Sequence, residues 1–259
     1  MLIRCPGPLS SPGCGEESPT QSGYLDMKID IWSDIVCPWC YIGKRRFEAA
    51  LALFAHRDEV AVRWHSFQLD PTTPTHPIGG YAERLAVKYG RTVPQAQQSL
   101  DDMTAAAAGE GLDFRFDLAA AGNTLDAHRL LHLAAERGVQ DALKERLLLA
   151  VFTEGAATSE HEVLVELAVE VGLDAAEVRA VLGSDLYATE VAADQEQAQR
   201  FGISGVPFFV IDNAYGVSGA QPAEALLEVL DKAWADAHPL TMVTSSGASV
   251  SCEGDTCAV

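Results

Sequence analysis

The sequence predicts an α/β fold in which a small sheet is interrupted by a large all-helical insertion. Apolar, strand-like segments occur before the insertion, at 28–32 and 60–69, and again after it, at 207–218. Between residues 79 and 201 the apolar residues recur with helical spacing, and no convincing strand is present. The chain has 259 residues, 48% of them hydrophobic, so it can bury a sizeable core without disulfide bonds.

The first strand, at 28–32, is followed by a helix that begins at Pro38. Proline is favoured at the first helical position, where its missing N–H costs nothing. The residues at spacings of three and four on the inner face of this helix are Gly43, Phe47, Ala50, Leu51 and Phe54. A second strand, rich in Val, Trp and Phe, is expected at 60–69.

Inside the insertion, helix starts are marked by an N-cap residue followed three positions later by Glu or Gln. These pairs are Thr92 with Gln95, Ser159 with Glu162, and Asp174 with Glu177. After the insertion, a strand at 207–212 is expected to pair with 214–218 across the turn Asp212-Asn213. A closing helix is expected at 222–234. Its inward residues are Leu226, Leu227, Leu230 and Trp234.

This order of elements divides the chain into four parts. The parts are a leader at 1–26, a sheet-containing thioredoxin-like domain at 27–78 and 202–238, the helical insertion domain at 79–201, and a flexible C-terminal tail with a Cys pair at 239–259. The leader is expected to be disordered because it is rich in Pro, Gly and Ser, and Met27 is a candidate for the physiological start.

Charge and hydropathy exclude two classes of partner. Acidic residues outnumber basic ones by 37 to 18, and the net charge is -19, whereas binding to nucleic acid requires clustered Lys and Arg. No run of about 18 apolar residues is present, so no membrane span is expected. Residues 1–26 lack the apolar stretch of a secretory signal, which predicts a cytoplasmic location.

The segment Cys37-Pro38-Trp39-Cys40 carries the clearest chemistry. Two cysteines separated by two residues at a helix N-terminus form a redox pair, because free N–H groups and the helix dipole stabilise a thiolate there. Cys37 is therefore expected to have a lowered pKa and to act as the nucleophile. Cys40, one turn later, is expected to resolve the mixed disulfide.

Nearby residues allow alternative interpretations. A zinc clip would need two more ligands at suitable spacing, and none are found, so no metal site is predicted. Lys44, Arg45 and Arg46 either add to the positive field at the first thiol or, as we favour, form a solvated helix face. Asp34 is either a proton acceptor for the second thiol or, more simply, a turn residue.

Together with CPWC and the Tyr41-Ile42-Gly43 that follows it, the segments 64–71 and 202–209 (GISGVPFF) resemble the DsbA family of thiol-disulfide oxidoreductases, in particular its FrnE-like cytoplasmic branch. The resemblance implies a thioredoxin-like fold with a helical insertion, and a cis peptide at Val206-Pro207 beside the cysteines. It also implies that an extended substrate segment pairs with the backbone there. Val206 and Pro207 are therefore predicted to bind the substrate, and Trp39, inside the CPWC motif, is a third predicted substrate-binding residue.

Two further groups of residues are candidates for chemistry. Cys252 and Cys257 resemble the second cysteine pair of some FrnE-like proteins, and they are predicted to form a second redox pair that exchanges electrons with the first. Asn123, Asp126 and His128 lie where a related glutathione-dependent branch has polar groups. An N-cap Asn and two exposed side chains explain them equally well, so no site is predicted there.

Three functions remain open. We favour a dithiol-disulfide oxidoreductase or isomerase that acts on protein or small disulfides. A glutathione-dependent isomerase or transferase, of the kappa-class or hydroxychromene carboxylate isomerase type, typically has serine where Cys37 stands. A non-catalytic holdase or peptide-binding module has no need of CPWC. No cofactor is expected, and glutathione is the one co-substrate that stays open. The expected partners are disulfide-containing proteins or small thiols, and the oligomeric state, a homodimer included, is undetermined.

Overall fold

A computed structural model describes residues 27–76, 78–120 and 122–240 of the chain. In these residues the sheet consists of four strands, β1 (Met27–Ser33), β2 (Val60–Ser66), β3 (Phe208–Ile211) and β4 (Tyr215–Ser218). Their order is β2-β1-β3-β4, with β2 parallel to β1 and the other two pairs antiparallel. The first and third strands, which are far apart in sequence, are therefore neighbours.

Helices flank the sheet and make up the insertion. In chain order those of the described residues are α1 (Pro38–Leu53), α2 (Tyr81–Tyr89), α3 (Val93–Gly109), α4 (Leu125–Glu136), α5 (Gln140–Leu149), α6 (His161–Glu170), α7 (Ala175–Leu182), α8 (Ala188–Arg200) and α9 (Ala223–Ala237). A 3-10 turn at Arg57–Glu59 precedes β2, and a π-helical turn at Ala150–Glu154 continues α5. Because α2 to α8 fall between β2 and β3, the predicted helical insertion is confirmed. None of the helices described here is long and apolar enough to cross a membrane.

The second strand is shorter than predicted. It ends at Ser66 rather than Leu69, opposite Ser33, the last residue of β1. Beyond this point carboxylates accept the backbone N–H groups: Asp194 accepts from Ser66 and Asp34 from Leu69, each at 2.8 Å. The chain leaves the sheet because its hydrogen bonds are satisfied by side chains instead of a neighbouring strand.

The hairpin predicted after the insertion is confirmed, since β3 and β4 pair antiparallel. Its turn residues Asp212 and Asn213 have φ angles of 49° and 54°. The connection between the strands is residues 212–214, and the backbone N–H of Ala214 donates to the carbonyl oxygen of Ile211 at 2.9 Å. Left-handed conformations at both central residues match such a turn to the twist of the strands. Asp212 also accepts the backbone N–H of Lys28 through Oδ1 at 2.7 Å, which fastens the hairpin to β1.

Two of the three predicted helix caps are confirmed. Thr92 and Gln95 form a capping box at α3. The carboxylate of Asp174 accepts two backbone N–H groups of the first turn of α7. The predicted cap at Ser159 is wrong, because its hydroxyl donates to the carbonyl oxygen of Thr75 at 2.7 Å and α6 starts without a side-chain cap.

One face of the sheet packs against α1 and α9. The buried residues of this core are Met27, Ile29, Ile31, Phe47, Ala50, Phe54, Trp64, Phe209, Ile211, Leu226, Leu230 and Ala233. They include most of the predicted inner faces of the two helices, whereas Leu51, Leu227 and Trp234 are only partly buried. Full burial of one large apolar side chain contributes about 1.5 to 3 kcal/mol, so this core holds α1 firmly on the sheet.

The insertion has its own core, and α1 takes part in it. Ile35, Tyr41 and Ile42 belong to the cluster of buried residues that the insertion helices form. The hydroxyl of Tyr41 donates to Oε1 of Glu145 on α5 at 2.7 Å. The start of α1 is thus enclosed by the sheet on one side and by the insertion on the other.

A buried polar network joins α8 to β1 and β2. Nε2 of His65 lies 2.6 Å from Oδ1 of Asp30, and its Nδ1 lies 2.7 Å from Oδ1 of Asp194. The ring of Trp32 stacks on His65 with centroids 4.4 Å apart. Burial opposes a charged imidazole, but the two carboxylates together raise the pKa of His65.

Candidate active site

Cys37 and Cys40 lie at the N-terminus of α1, as predicted. Cys37 is the N-cap residue and Pro38 the first helical residue. The backbone N–H of Cys40 donates to the carbonyl oxygen of Cys37 at 3.0 Å, and that of Cys37 donates to Asp34 at 3.4 Å. Both side chains are free thiols, 4% and 1% exposed. The first turn therefore presents two buried sulfurs side by side.

The loop before β3 brings Val206 and Pro207 next to the first thiol. The Val206-Pro207 peptide is cis, as the family resemblance implies. Sγ of Cys37 lies 3.4 Å from the carbonyl oxygen of Val206, within hydrogen-bond distance for sulfur. Two segments 169 residues apart in sequence thus meet at this sulfur.

The close approach of α1 to this loop requires glycine at position 43. A Cβ on Gly43 would lie 2.8 Å from Cγ of Pro207 and 3.4 Å from Cβ of Ala220. Carbon atoms in favourable contact stay about 3.5 to 4.0 Å apart. The missing side chain therefore leaves room for the proline ring one turn after the cysteines.

Burial and a shared hydrogen bond act on the acidity of the two thiols. The hydrogen bond between Cys37 and Cys40, together with burial, raises the pKa of Cys37 well above its ordinary value. Burial also opposes ionisation of Cys40, but the hydrogen bond from Cys37, the charge of Lys144 and the nearby Ser33 hydroxyl lower its pKa. Because the two sulfurs share one proton through this hydrogen bond and titrate as a pair, the lowered pKa expected at Cys37 stays a prediction.

A buried polar cluster lies behind the cysteines. Asp34, 1% exposed, accepts hydrogen bonds from Nε2 of His128 at 3.2 Å and from the backbone N–H of Leu69 at 2.8 Å. Burial raises the pKa of Asp34, but these hydrogen bonds lower it overall, whereas burial lowers the pKa of His128. Nζ of the fully buried Lys144 donates to the carbonyl oxygen of Ser33 at 3.3 Å.

The basic residues after the motif tie α1 to the insertion. Lys44 is 2% exposed, and its Nζ lies 3.2 Å from Oε2 of Glu145. Arg45 pairs with Glu145 as well, and Nε of Arg46 lies 2.6 Å from Oε1 of Glu110. The interpretation of these three residues as a solvated helix face is wrong, because the insertion covers them.

Two predictions about polar residues are also wrong. Asp34 is not a simple turn residue, and His128 is not exposed, since each is buried and bonded to the other. Asn123 is not the N-cap of α4, which is Thr124, but its Oδ1 accepts the backbone N–H of Leu125 at 2.9 Å. Asp126, partly exposed, pairs with Arg129 through oxygen and nitrogen atoms 2.7 Å apart.

Two aromatic residues differ in their exposure near the site. Trp39 is 41% exposed, so its side chain is open to solvent. On α2, burial raises the pKa of Tyr81, and the charge of Cys37 acts in the same direction. The other predicted redox pair, Cys252 and Cys257, lies outside the described residues.

Sequence reasoning missed Ser33 and Lys144. Lys144 follows Leu143 within the buried stripe of α5, a position where helical periodicity demands an apolar residue. A lysine in such a stripe is a signal that could have found it. Ser33 has no comparable signal, because a small polar residue at a strand end is common. Among the described residues, no group of three or more His, Cys, Asp or Glu is arranged to hold a metal ion.

Comparison with known proteins places this geometry in a family. A profile of the DSBA-like thioredoxin domain matches residues 28–231. The crystal structure of a probable DsbA oxidoreductase from Streptomyces coelicolor is 48% identical, with a TM-score of 0.79 over 90% of this chain and 99% of that one. Uncharacterized protein YwbO of Bacillus subtilis is 26% identical over 216 residues, which span 82% of this chain and 98% of that protein.

The fold is shared more widely. The cytosolic disulfide reductase DsbM from Pseudomonas aeruginosa, in a structure with GSH, is 20% identical, with a TM-score of 0.56 over 79% of this chain and 98% of that one. The predicted resemblance and the thioredoxin-like fold with a helical insertion are both confirmed. On these grounds the chain belongs to the family of DSBA-like thioredoxin domain proteins.

Proposed function

We propose that this protein is a thiol-disulfide oxidoreductase or isomerase that acts on protein or small disulfides, with Cys37 as the nucleophile and Cys40 as the resolving thiol. The observation that carries the proposal is that the first thiol of the pair meets the cis-Pro207 loop, where Sγ of Cys37 is 3.4 Å from the Val206 carbonyl oxygen. Membership of the family supports the same class of redox chemistry.

The reaction starts from the reduced pair after one proton has left, and the two hydrogen-bonded sulfurs share the remaining proton. When this proton lies on Cys40, Sγ of Cys37 is a thiolate and attacks one sulfur of the substrate disulfide, and the other substrate sulfur leaves as a thiolate. Cys40 then gives up this proton, attacks Sγ of Cys37 and expels the second substrate sulfur. The pair ends as a disulfide, and two electrons have passed to the substrate.

Val206, Pro207 and Trp39 bind the substrate in this proposal. An extended segment around the substrate cysteine pairs with the main chain at Val206 as an added strand. This pairing replaces the contact between the Val206 carbonyl oxygen and Cys37, which leaves the sulfur free to attack. The exposed face of Trp39 adds apolar contact beside the reacting sulfurs.

Glutathione is the small thiol that we propose as co-substrate, and the cytoplasm is the proposed location. The Pseudomonas aeruginosa relative contains GSH in its structure. A small thiol also reaches a sulfur that is 4% exposed more easily than a folded protein does. Mass spectrometry of the Cys40→Ser protein after incubation with oxidised glutathione should show one glutathione on Cys37. Cell fractionation tests the location.

Two single variants test the main proposal. Cys37→Ser should abolish insulin reduction because the attacking sulfur is gone. Cys40→Ser should accumulate mixed disulfides, since attack proceeds and resolution does not. A full-activity Cys37→Ser protein, or identical behaviour of the two variants, would contradict these assignments. A glutathione-dependent isomerase would instead keep its turnover without Cys40, and a holdase would suppress aggregation equally well with both variants.

A further inference from the structure

Arg46 on α1 makes two contacts that reach different parts of the molecule. Its Nε lies 2.6 Å from Oε1 of Glu110, and its Nη1 donates to the carbonyl oxygen of Ala220 at 2.6 Å. Glu110 is the C-cap residue of α3 in the helical insertion, whereas Ala220 lies between β4 and α9. A guanidinium holds two partners at fixed angles, because its N–H groups diverge in one rigid plane. Arg46 therefore joins three segments that are distant in sequence.

The β4–α9 turn, residues 219–222, is also attached to the cis-Pro207 loop. The backbone N–H of Gly219 donates to the carbonyl oxygen of Pro207 at 2.8 Å. This bond extends the pairing of β3 with β4 by one residue beyond Ser218. Gly219 has a φ of 80°, a left-handed conformation that glycine adopts without strain, and the chain then turns towards α9. The position of Pro207 thus depends on the position of the turn.

One face of α1 receives both the proline ring and the β4–α9 turn. Gly43 lies three positions before Arg46, so the two residues are neighbours on the helix surface. A Cβ on Gly43 would lie 2.8 Å from Cγ of Pro207 and 3.4 Å from Cβ of Ala220. The loop and the turn therefore rest side by side on α1, close to the cysteines at its start.

Arg46 fixes the distance between the β4–α9 turn and α1. The backbone N–H of Gln221 donates to Gly219 at 3.0 Å, and its side-chain amide donates to Ser218 at 2.8 Å. These bonds set the shape of the turn but do not reach α1. Among the described residues, no other side chain of α1 bonds to the turn. The hydrogen bonds of Arg46 are charge-assisted, and such bonds are stronger than those between neutral groups.

The position of Glu110 suits Arg46 rather than α3. A carboxylate at the C-terminal end of a helix meets the negative end of the helix dipole, which is unfavourable. The guanidinium of Arg46 compensates this charge. The two side chains are 23% and 26% exposed, so solvent screens the pair less than it screens a fully exposed one. The insertion therefore sets the direction in which Arg46 points towards the turn.

We propose that Arg46, oriented by Glu110, is a positioning residue for protein substrates. It fixes the cis-Pro207 loop at the distance from Cys37 at which an extended polypeptide segment binds. The inference rests on the proposed function, in which such a segment pairs with the main chain at Val206. Arg46 touches neither the substrate nor the sulfurs, and it acts through the β4–α9 turn and the proline.

This role predicts a difference between two classes of disulfide. A protein disulfide has main chain on both sides of its cysteine, and the cis-Pro207 loop must receive that main chain in register. The small aromatic disulfide 5,5′-dithiobis(2-nitrobenzoic acid) has no main chain and needs only the sulfur of Cys37. Loss of the Arg46 contacts should therefore slow the reaction with a protein disulfide and leave the reaction with the small disulfide unchanged.

The test measures second-order rate constants for the reduced protein with insulin and with the small disulfide. Arg46→Gln should lower the insulin constant about tenfold and the other by less than about twofold, since a misplacement of 1 Å costs roughly 100-fold. Arg45→Gln is the matched control. Arg45 precedes Arg46 on the same helix and pairs with Glu145 of the insertion, but it does not bond to the turn in the described structure. Both constants should therefore keep their wild-type values in this control.

Amide hydrogen exchange reports on the loop contact itself. The Gly219 N–H, which donates to Pro207, should exchange at least about tenfold faster in Arg46→Gln than in Arg45→Gln. Should Arg46→Gln not fold, Glu110→Gln leaves the guanidinium in place and removes only the charge that orients it. This variant should lower the insulin constant and spare the other.

The outcomes separate the inference from the proposed function. Equal losses with both disulfides in Arg46→Gln, or a wild-type insulin constant in that folded variant or in Glu110→Gln, overturn the inference. An unchanged exchange rate at Gly219 in Arg46→Gln overturns it as well. A wild-type protein that reduces neither disulfide, or a Cys37→Ser protein that reduces both at the wild-type rate, would instead overturn the proposed function.

Discussion

Gly43→Ala tests whether the close packing of α1 on the Val206-Pro207 loop is needed for disulfide exchange. The new Cβ would lie 2.8 Å from Cγ of Pro207, whereas ordinary contacts begin at 3.4 Å. The loop must therefore retreat by at least the difference, 0.6 Å. Because Val206 precedes the proline, its carbonyl oxygen moves away from Sγ of Cys37 with it.

Two opposing effects determine the stability of this variant. Alanine is favoured over glycine inside a helix by about 1 kcal/mol. Forcing an extra methyl group into a packed interior costs about 1 to 3 kcal/mol. We therefore expect a net loss of roughly 0 to 2 kcal/mol in the free energy of unfolding, measured with urea. Since a misplacement of 1 Å can reduce a rate about 100-fold, the retreat of the loop should reduce insulin reduction by about tenfold.

Gly109→Ala is the matched control. It lies at the end of α3, and a Cβ added there meets nothing within 4 Å. This variant should keep wild-type turnover and gain up to about 1 kcal/mol in stability. If Gly43→Ala behaves in the same way, gaining stability at full activity, the packing of α1 against the proline loop has no part in the reaction.

His65→Gln should destabilise the fold by about 2 to 3 kcal/mol, because a charged hydrogen bond to buried Asp194 is lost. Despite burial, the carboxylates raise the pKa of His65, so its contribution is complete below about pH 6.5 and fades as the pH rises through the folded value. Urea unfolding should show a larger loss at about pH 6 than at about pH 9, with exposed His76→Gln as the control, and equal losses would contradict the ion pair. Replacing Cys252 and Cys257 by Ser should slow turnover in the insulin assay if they form the predicted second redox pair, and unchanged turnover would exclude them from the cycle.

Features that depend on near neighbours in the chain were predictable. The cysteine pair at the start of α1 followed from the spacing of Cys37 and Cys40 and from Pro38, which favours a helix start. The hairpin followed from Asp212-Asn213, because these residues tolerate the left-handed backbone at the centre of a tight turn. The end of β2 did not follow, because the carboxylates that terminate it come from distant segments.

The meeting of Cys37 with Val206 was predictable only through the family resemblance. The two residues are 169 positions apart, and no local pattern links them. The burial of His128 had no such support. A histidine on a helix is compatible with either solvent or core, and the choice depends on whether a partner such as Asp34 lies opposite it.

The sequence by itself determined the order of the elements, the helical insertion and the position of two thiols at a helix start, because these follow from periodicity and local backbone preferences. Only the tertiary structure decided which charged and polar groups surround the two thiols. The helix N-terminus is shared by both sulfurs, but Lys144 arrives from α5 and the Ser33 hydroxyl from the end of β1. Electrostatic energy depends on distance in space, so the acidity of the cysteine pair is a property of the assembled fold as well as of the CPWC motif.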